Sequence, residues 1–92
     1  MTERTHEVKC WPPYFEDIRS QRKTFELRLD DRQYKVGDIL LLREWEPDDA
    51  DGYTGAEIRR RIIYIQHGIG PGAIEPLKGL HMLYVILGLG GL

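Results

Sequence analysis

The run Arg22-Lys23-Thr24-Phe25-Glu26-Leu27-Arg28 decides how this chain is read. Apolar Phe25, Leu27 and Leu29 alternate with polar Thr24, Glu26 and Arg28. A period of two marks a half-buried β-strand, expected over Lys23 to Leu29. One face can feed a core, and alternation leaves open which face meets water. The other face then presents a hydroxyl, a carboxylate and a guanidinium in a row, with Lys23 at its entrance, as a polar cleft requires. The plainer alternative is that Glu26 and Arg28, two residues apart, simply pair on a solvated face.

Working outward, His6 to Trp11 reads as a short strand, with Val8 and Cys10 on one side. Pro12-Pro13 ends it and suits the first turn of a helix, where a missing N–H costs little. That helix is expected over Tyr14 to Gln21, with Phe15 and Ile18 as its apolar pair. After turns at Asp30-Asp31-Arg32 and Tyr34-Lys35-Val36-Gly37-Asp38, the unbroken apolar run Ile39 to Leu42 predicts a strand buried on both faces and extending to Trp45. A polar connection from Glu46 to Gly55 leads into a strand from about Ala56 to Gln66. The two form a long hairpin. His67 to Gly79 reads as loop, Met82 to Leu87 as the last strand, and Gly88 to Leu92 as a frayed tail. Strict alternation along the fourth strand puts Tyr64 on the parity of Ile58, Arg60 and Ile62. Core packing is the expectation for Tyr14 and Tyr64.

Five consecutive short strands, one short helix and no internal repeat predict a mainly β (α+β) small barrel. Closure also removes exposed sheet edges. The 92 residues make one domain, 1–92, with ordinary globular composition: 41% apolar and 30% charged. Met1 to Glu7 has no apolar signal segment, and no run reaches a membrane-spanning length. A lone cysteine, Cys10, excludes an internal disulfide and reads as a small buried hydrophobe. The expected protein is soluble and cytoplasmic, with no membrane partner.

A net charge of −2 excludes a strongly basic nucleic-acid binder, yet the charges are unevenly spread. Arg19, Arg22, Lys23, Arg28, Arg32 and Lys35 crowd one region, and Arg59-Arg60-Arg61 adds another. Acidic residues gather at Glu44 to Asp51. A solvated surface is the plain reading of such a split. His6, His67 and His81 are scattered, so no metal site or cofactor is expected. Gly68-x-Gly70-x-Gly72, broken by Pro71 and Pro76, is no dinucleotide fingerprint.

Lys23-Thr24-Phe25-Glu26-Leu27-Arg28, followed by Val36-Gly37-Asp38 and an apolar strand, resembles the ASCH (activating signal cointegrator homology) family of PUA-like barrels. Lys23, Glu26 and Arg28 match its signature. Gln21 stands where the family usually has glycine. Tyr84-Val85-Ile86-Leu87 resembles its closing strand. Trp11-Pro12-x-Tyr14-Phe15 and Tyr53-Thr54-Gly55 look like a small stand-alone branch of unknown function. The resemblance implies a PUA-like barrel of about five strands, with a cleft between the helix and the barrel that binds RNA or a modified nucleoside. The residues expected there are Arg22, Lys23, Thr24, Glu26, Arg28, Trp11, Tyr53, Arg59 and Arg61. Arg28 offers a planar fork, and Trp11, Tyr14 and Tyr53 offer stacking surfaces, with core packing the alternative for Tyr14. Some small family members hydrolyse the amide of N-acetylated cytidine with a Lys, a Thr and a distant Glu. Lys23 matches the Lys, whereas the Thr aligns with Glu26. If this chain is an enzyme, Lys23 and Glu26 are its catalytic candidates, acting as acid and base on a modified-nucleoside amide. A protein-interaction scaffold is the third expectation.

Overall fold

The computed structural model describes residues 3–48, 51–68 and 84–92. The described elements are β1 (Thr5–Cys10), α1 (Pro12–Arg19), β2 (Phe25–Leu29), β3 (Ile39–Trp45), β4 (Tyr53–His67) and β5 (Tyr84–Gly90). They form one five-stranded sheet in the order β1-β3-β4-β5-β2. β1 runs parallel to β3, and the other pairs are antiparallel. The sheet curls until its two edge strands approach. There, Arg28 donates to the Lys9 carbonyl at 3.2 Å and Arg32 donates to the Glu7 carbonyl. Among the described residues the fold is therefore a mainly β half-barrel with one short helix, and two arginine side chains span the seam in place of ladder bonds.

The core lies inside the curl. Val8 and Cys10 from β1, Leu40 and Leu42 from β3, Ile58 and Ile62 from β4, and Val85, Leu87 and Leu89 from β5 meet Phe15 and Ile18 of the helix. Two prolines open α1, and its only buried residues are the pair expected from the spacing. The run Ile39 to Leu42 is buried throughout, as its unbroken apolar character requires. Ile39 and Leu41 face outward, opposite their register partners Arg61 and Arg59. The side chains of those arginines start on that outer face.

Two expectations fail here for physical reasons. A β-bulge between Ile62 and Tyr64 breaks the alternation of β4. Beyond it Tyr64 turns outward and is 61% exposed, while Ile65 packs toward the core. Gly88 and Gly90 of β5 make room for this bulge. A Cβ at Gly90 would lie 2.9 Å from the Ile63 side chain, and one at Gly88 would lie 3.1 Å from Cβ of Tyr64. Gly88 to Gly90 thus belong to the closing strand rather than to a frayed tail. The expected loop after His67 and the residues Met82 and Leu83 lie outside the described residues, apart from Gly68.

The third difference matters most. Phe25, Leu27 and Leu29 point outward at 47%, 50% and 48% exposure, whereas Glu26 is buried. The period of two is present, and it is the polar face, not the apolar one, that turns inward. β2 is an edge strand, and its inner face looks onto the mouth of the half-barrel instead of its apolar centre.

Val36-Gly37-Asp38 locks the start of β3. Gly37 takes φ +100°, and its N–H donates to the Ile62 carbonyl at 2.8 Å. The buried Asp38 carboxylate receives the N–H groups of Arg4 and Lys35, each at 3.1 Å, and the His6 ring at 2.8 Å. His6 in turn meets the Tyr34 ring edge-on. Burial pushes the Asp38 carboxyl up, but those three hydrogen bonds outweigh it and hold the carboxyl below its ordinary range.

Candidate binding cleft

An open cleft of about 620 Å³ occupies the mouth of the half-barrel. Lys9 and Cys10 at the end of β1, Trp11 and Tyr14 at the start of α1, and Trp45 at the end of β3 form its walls, with Phe25 to Arg28 of β2 completing it. Trp11 is held there because it is the N-cap of α1, its carbonyl accepting the first helical N–H from Phe15 at 2.8 Å. Gln21 follows the helix at φ +66°, the left-handed region that glycine favours. The Lys23 N–H then returns to the Asp17 carbonyl at 2.9 Å, which delivers Lys23 to the cleft.

At its polar centre Glu26 is capped on both oxygens. Lys23 Nζ donates to Oε1 at 2.9 Å and Arg28 Nη1 to Oε2 at 3.0 Å. The carboxylate side chain is 6% exposed and its two cations 21% and 25%, so the anion is covered while the cations reach solvent. The Lys23 ammonium also sits 5.0 Å from the Tyr14 ring centre and 5.4 Å from that of Phe25. Lys9 lies 4.4 Å over Trp45. The result is a ring of aromatic faces around a carboxylate with a cation on each side. It can stack a flat ligand, offer the carboxylate to a hydrogen-bond donor, and offer Lys23 or Arg28 to an acceptor.

Of the residues expected at the site, the structure gathers Trp11, Lys23, Glu26 and Arg28 into this cleft. Thr24 lines a smaller neighbouring pocket with Arg60 and Gln21. Arg22 is exposed beside Asp17, which it meets at 3.0 Å. Tyr53 stands at the rim, stacked 3.9 Å from the Arg43 guanidinium and 5.9 Å from the Lys9 ammonium. Arg59 and Arg61 are apart from the cleft on the outer face of β4, where Arg61 holds the Gly37 carbonyl at 2.8 Å. Arg60 faces inward to the Ile18 carbonyl. The basic residues therefore do not form one continuous face.

Tyr14 is 53% exposed and lines the cleft, contrary to the expectation of core packing. Lys9, Cys10, Phe25, Leu27 and Trp45 also line it and were not expected there. Their signal was weak because each sits at a strand end or on a face that alternation alone assigns elsewhere. Among the described residues, no three His, Cys, Asp or Glu side chains gather as metal ligands. No described helix is long and apolar enough to cross a membrane.

Cys10 is a buried free thiol, pushed up to about 11 by burial first and the Glu26 carboxylate second, against the opposing pull of Lys23 and Arg28. It is therefore neutral at physiological pH and a poor nucleophile. Alkylation by iodoacetamide at mildly alkaline pH should be far slower in the folded protein than in urea. Equal rates would show that the thiol is not held in the barrel wall.

Over residues 5–89 the chain belongs to the family described as "Domain of unknown function (DUF3850)". It is similar to the "Uncharacterized 12.9 kDa protein in GpA 3'region" of Escherichia phage P2, 37% identical over 62 residues. The match covers 67% of this chain and 54% of the phage protein, so it spans about half the length of that curated relative.

Proposed function

We propose that this domain is a member of the ASCH branch of PUA-like barrels that binds a nucleoside, free or as an unpaired nucleotide of RNA, in the cleft around Glu26. One observation carries the reading. The buried Glu26 carboxylate is flanked by Lys23 and Arg28 and ringed by Trp11, Tyr14 and Trp45. A nucleobase needs both things, a flat apolar face to stack on and a donor–acceptor pattern for its edge. Stacking on aromatic side chains contributes about 1–3 kcal/mol per base. The cleft volume also falls within the range of small-ligand sites, roughly 300–1,000 Å³. The left-handed Gln21 supports the family assignment, since it adopts the conformation for which glycine is usual there.

Both tryptophans of the chain, Trp11 and Trp45, line the cleft, so intrinsic fluorescence reports on it directly. A panel of modified nucleosides and short single-stranded RNAs should quench that fluorescence. Because Arg59 and Arg61 lie on the outer face, RNA binding should depend only shallowly on salt, with a log–log slope of about −0.7 per phosphate held. No quenching by any nucleoside or RNA would overturn the reading and leave the barrel as an interaction scaffold.

The 2.9 Å contact between the Lys23 amine and the buried Glu26 carboxylate favours a second reading, hydrolysis of an N-acylated nucleoside. That contact suits proton transfer at an amide. Release of free carboxylic acid from such a nucleoside, abolished by Glu26→Gln, would establish it. Quenching without acid release would confine the cleft to binding.

A further inference from the structure

We infer that β2 pairs with β2 of a second copy of this chain, antiparallel and centred on Leu27. β2 is one edge of the sheet, and backbone direction decides which of its groups are free. The Leu89 N–H donates to the Thr24 carbonyl at 2.8 Å, and the same register pairs Glu26 with Leu87 and Arg28 with Val85. In a ladder the N–H and C=O of one residue turn to the same side, and that side alternates. Thr24, Glu26 and Arg28 therefore spend their backbone groups on β5, whereas Phe25, Leu27 and Leu29 turn theirs away from it, to the side where the side chains of Arg28 and Arg32, and no ladder bonds, reach β1. Among the described residues no backbone bond crosses from these three to another strand. Their side chains are also about half exposed. An edge with free backbone groups and a row of exposed apolar side chains is a template for another strand.

The sequence of this strand makes its own copy the matching one. Centred on Leu27, the antiparallel register sets Phe25 opposite Leu29 and Leu27 opposite itself on the outer face. It sets Glu26 opposite Arg28 on the inner face and Lys23 opposite Asp31 at each end. Every charged pair at these positions is of opposite sign, which favours cross-strand pairing. Moving the centre by one residue, to Glu26 or Arg28, places like charges face to face and calls on backbone groups already bonded to β5. Shifts of two residues keep the same backbone groups but leave part of β2 unpaired, so the Leu27 centre is the register that pairs all five residues of β2 with one another. Pairing there is isologous and closes on itself, so a dimer and not a fibre results.

Sedimentation equilibrium over a range of protein concentrations tests this, with far-UV circular dichroism to confirm the fold. The wild type should be a dimer that dissociates on dilution. Leu27→Lys brings two ammonium groups together on the axis and should give a monomer. Asp31→Lys lies on the surface and sets two cations opposite each other at both ends, so it should weaken self-association about tenfold. Asp31→Asn, which removes the charge without reversing it, should weaken self-association less than Asp31→Lys. The charge pair decides the matter if Leu27→Lys fails to fold. A wild type that stays monomeric, a dimer indifferent to Leu27→Lys, or a charge reversal with no effect would each overturn the inference.

Discussion

Asp38→Ala is expected to be among the most damaging single changes in this protein, lowering folding stability by about 3–5 kcal/mol. The carboxylate is 5% exposed and holds three donors: the Arg4 N–H, the Lys35 N–H and the His6 ring. Removing it strands the buried His6 ring and leaves two part-buried N–H groups without their acceptor. It also unties the turn whose Gly37 N–H anchors on Ile62 and whose Asp38 carbonyl takes the Ile62 N–H at 2.8 Å. Urea unfolding of the purified variant measures the loss, and a change below about 1 kcal/mol would show the cluster to be dispensable.

The same carboxylate sets an acid limit. Its pKa is lowered in the folded state, so the unfolded chain takes up the proton more readily there. Its contribution is therefore complete above the ordinary aspartate value of about 3.9 and is lost as pH falls through the lower folded value. Asp38→Asn removes the titration while keeping a carbonyl acceptor. The stability gap between wild type and this variant should narrow as pH drops below about 4. A gap independent of pH over that range would assign the acid limb to other carboxylates.

Asp38 also shows how legible this chain is. Val36-Gly37-Asp38 stands out in sequence as a turn before an apolar strand, and the structure gives it that place. The run Ile39 to Leu42 is legible because continuous apolar character has one physical solution, burial on both faces. Alternation is more ambiguous. It reveals that Phe25, Leu27 and Leu29 share a face with one another and Glu26 with Arg28, but not which face turns inward. That depends on β2 lying at the end of the strand order, a long-range fact absent from the local pattern. Strict alternation misplaces Tyr64 for a related reason. One extra residue at Ile63 reverses parity, and the room for it comes from Gly88 and Gly90, more than twenty residues away. The cleft was legible where one strand supplies it, in Lys23, Glu26 and Arg28. It was not legible where β1 and β3 bring Lys9, Cys10 and Trp45 to meet that strand.

Arg28→Ala should separate site from scaffold. Among the described residues Arg28 donates to Glu26 Oε2 at 3.0 Å and to the Lys9 carbonyl at 3.2 Å across the seam, and it also meets the Tyr34 side chain. Deleting one member of a fully buried ion pair costs roughly 3–5 kcal/mol, because the remaining charge is stranded. Glu26 is not stranded here. Lys23 stays on its other oxygen at 2.9 Å, and truncation at Arg28 opens the cleft to water on the side just vacated. The loss should therefore be nearer 1–3 kcal/mol, the range for hydrogen bonds to a charged group. Ligand binding has no such substitute. Lys23 is already engaged by Glu26, so the freed side of the cleft loses its fork of donors, and nucleoside-dependent quenching of Trp11 and Trp45 should disappear. Thermal unfolding and fluorescence titration on the same sample test both halves. A loss near 5 kcal/mol would make Arg28 a seam residue of the barrel, whereas unchanged stability with binding intact would place the nucleoside elsewhere.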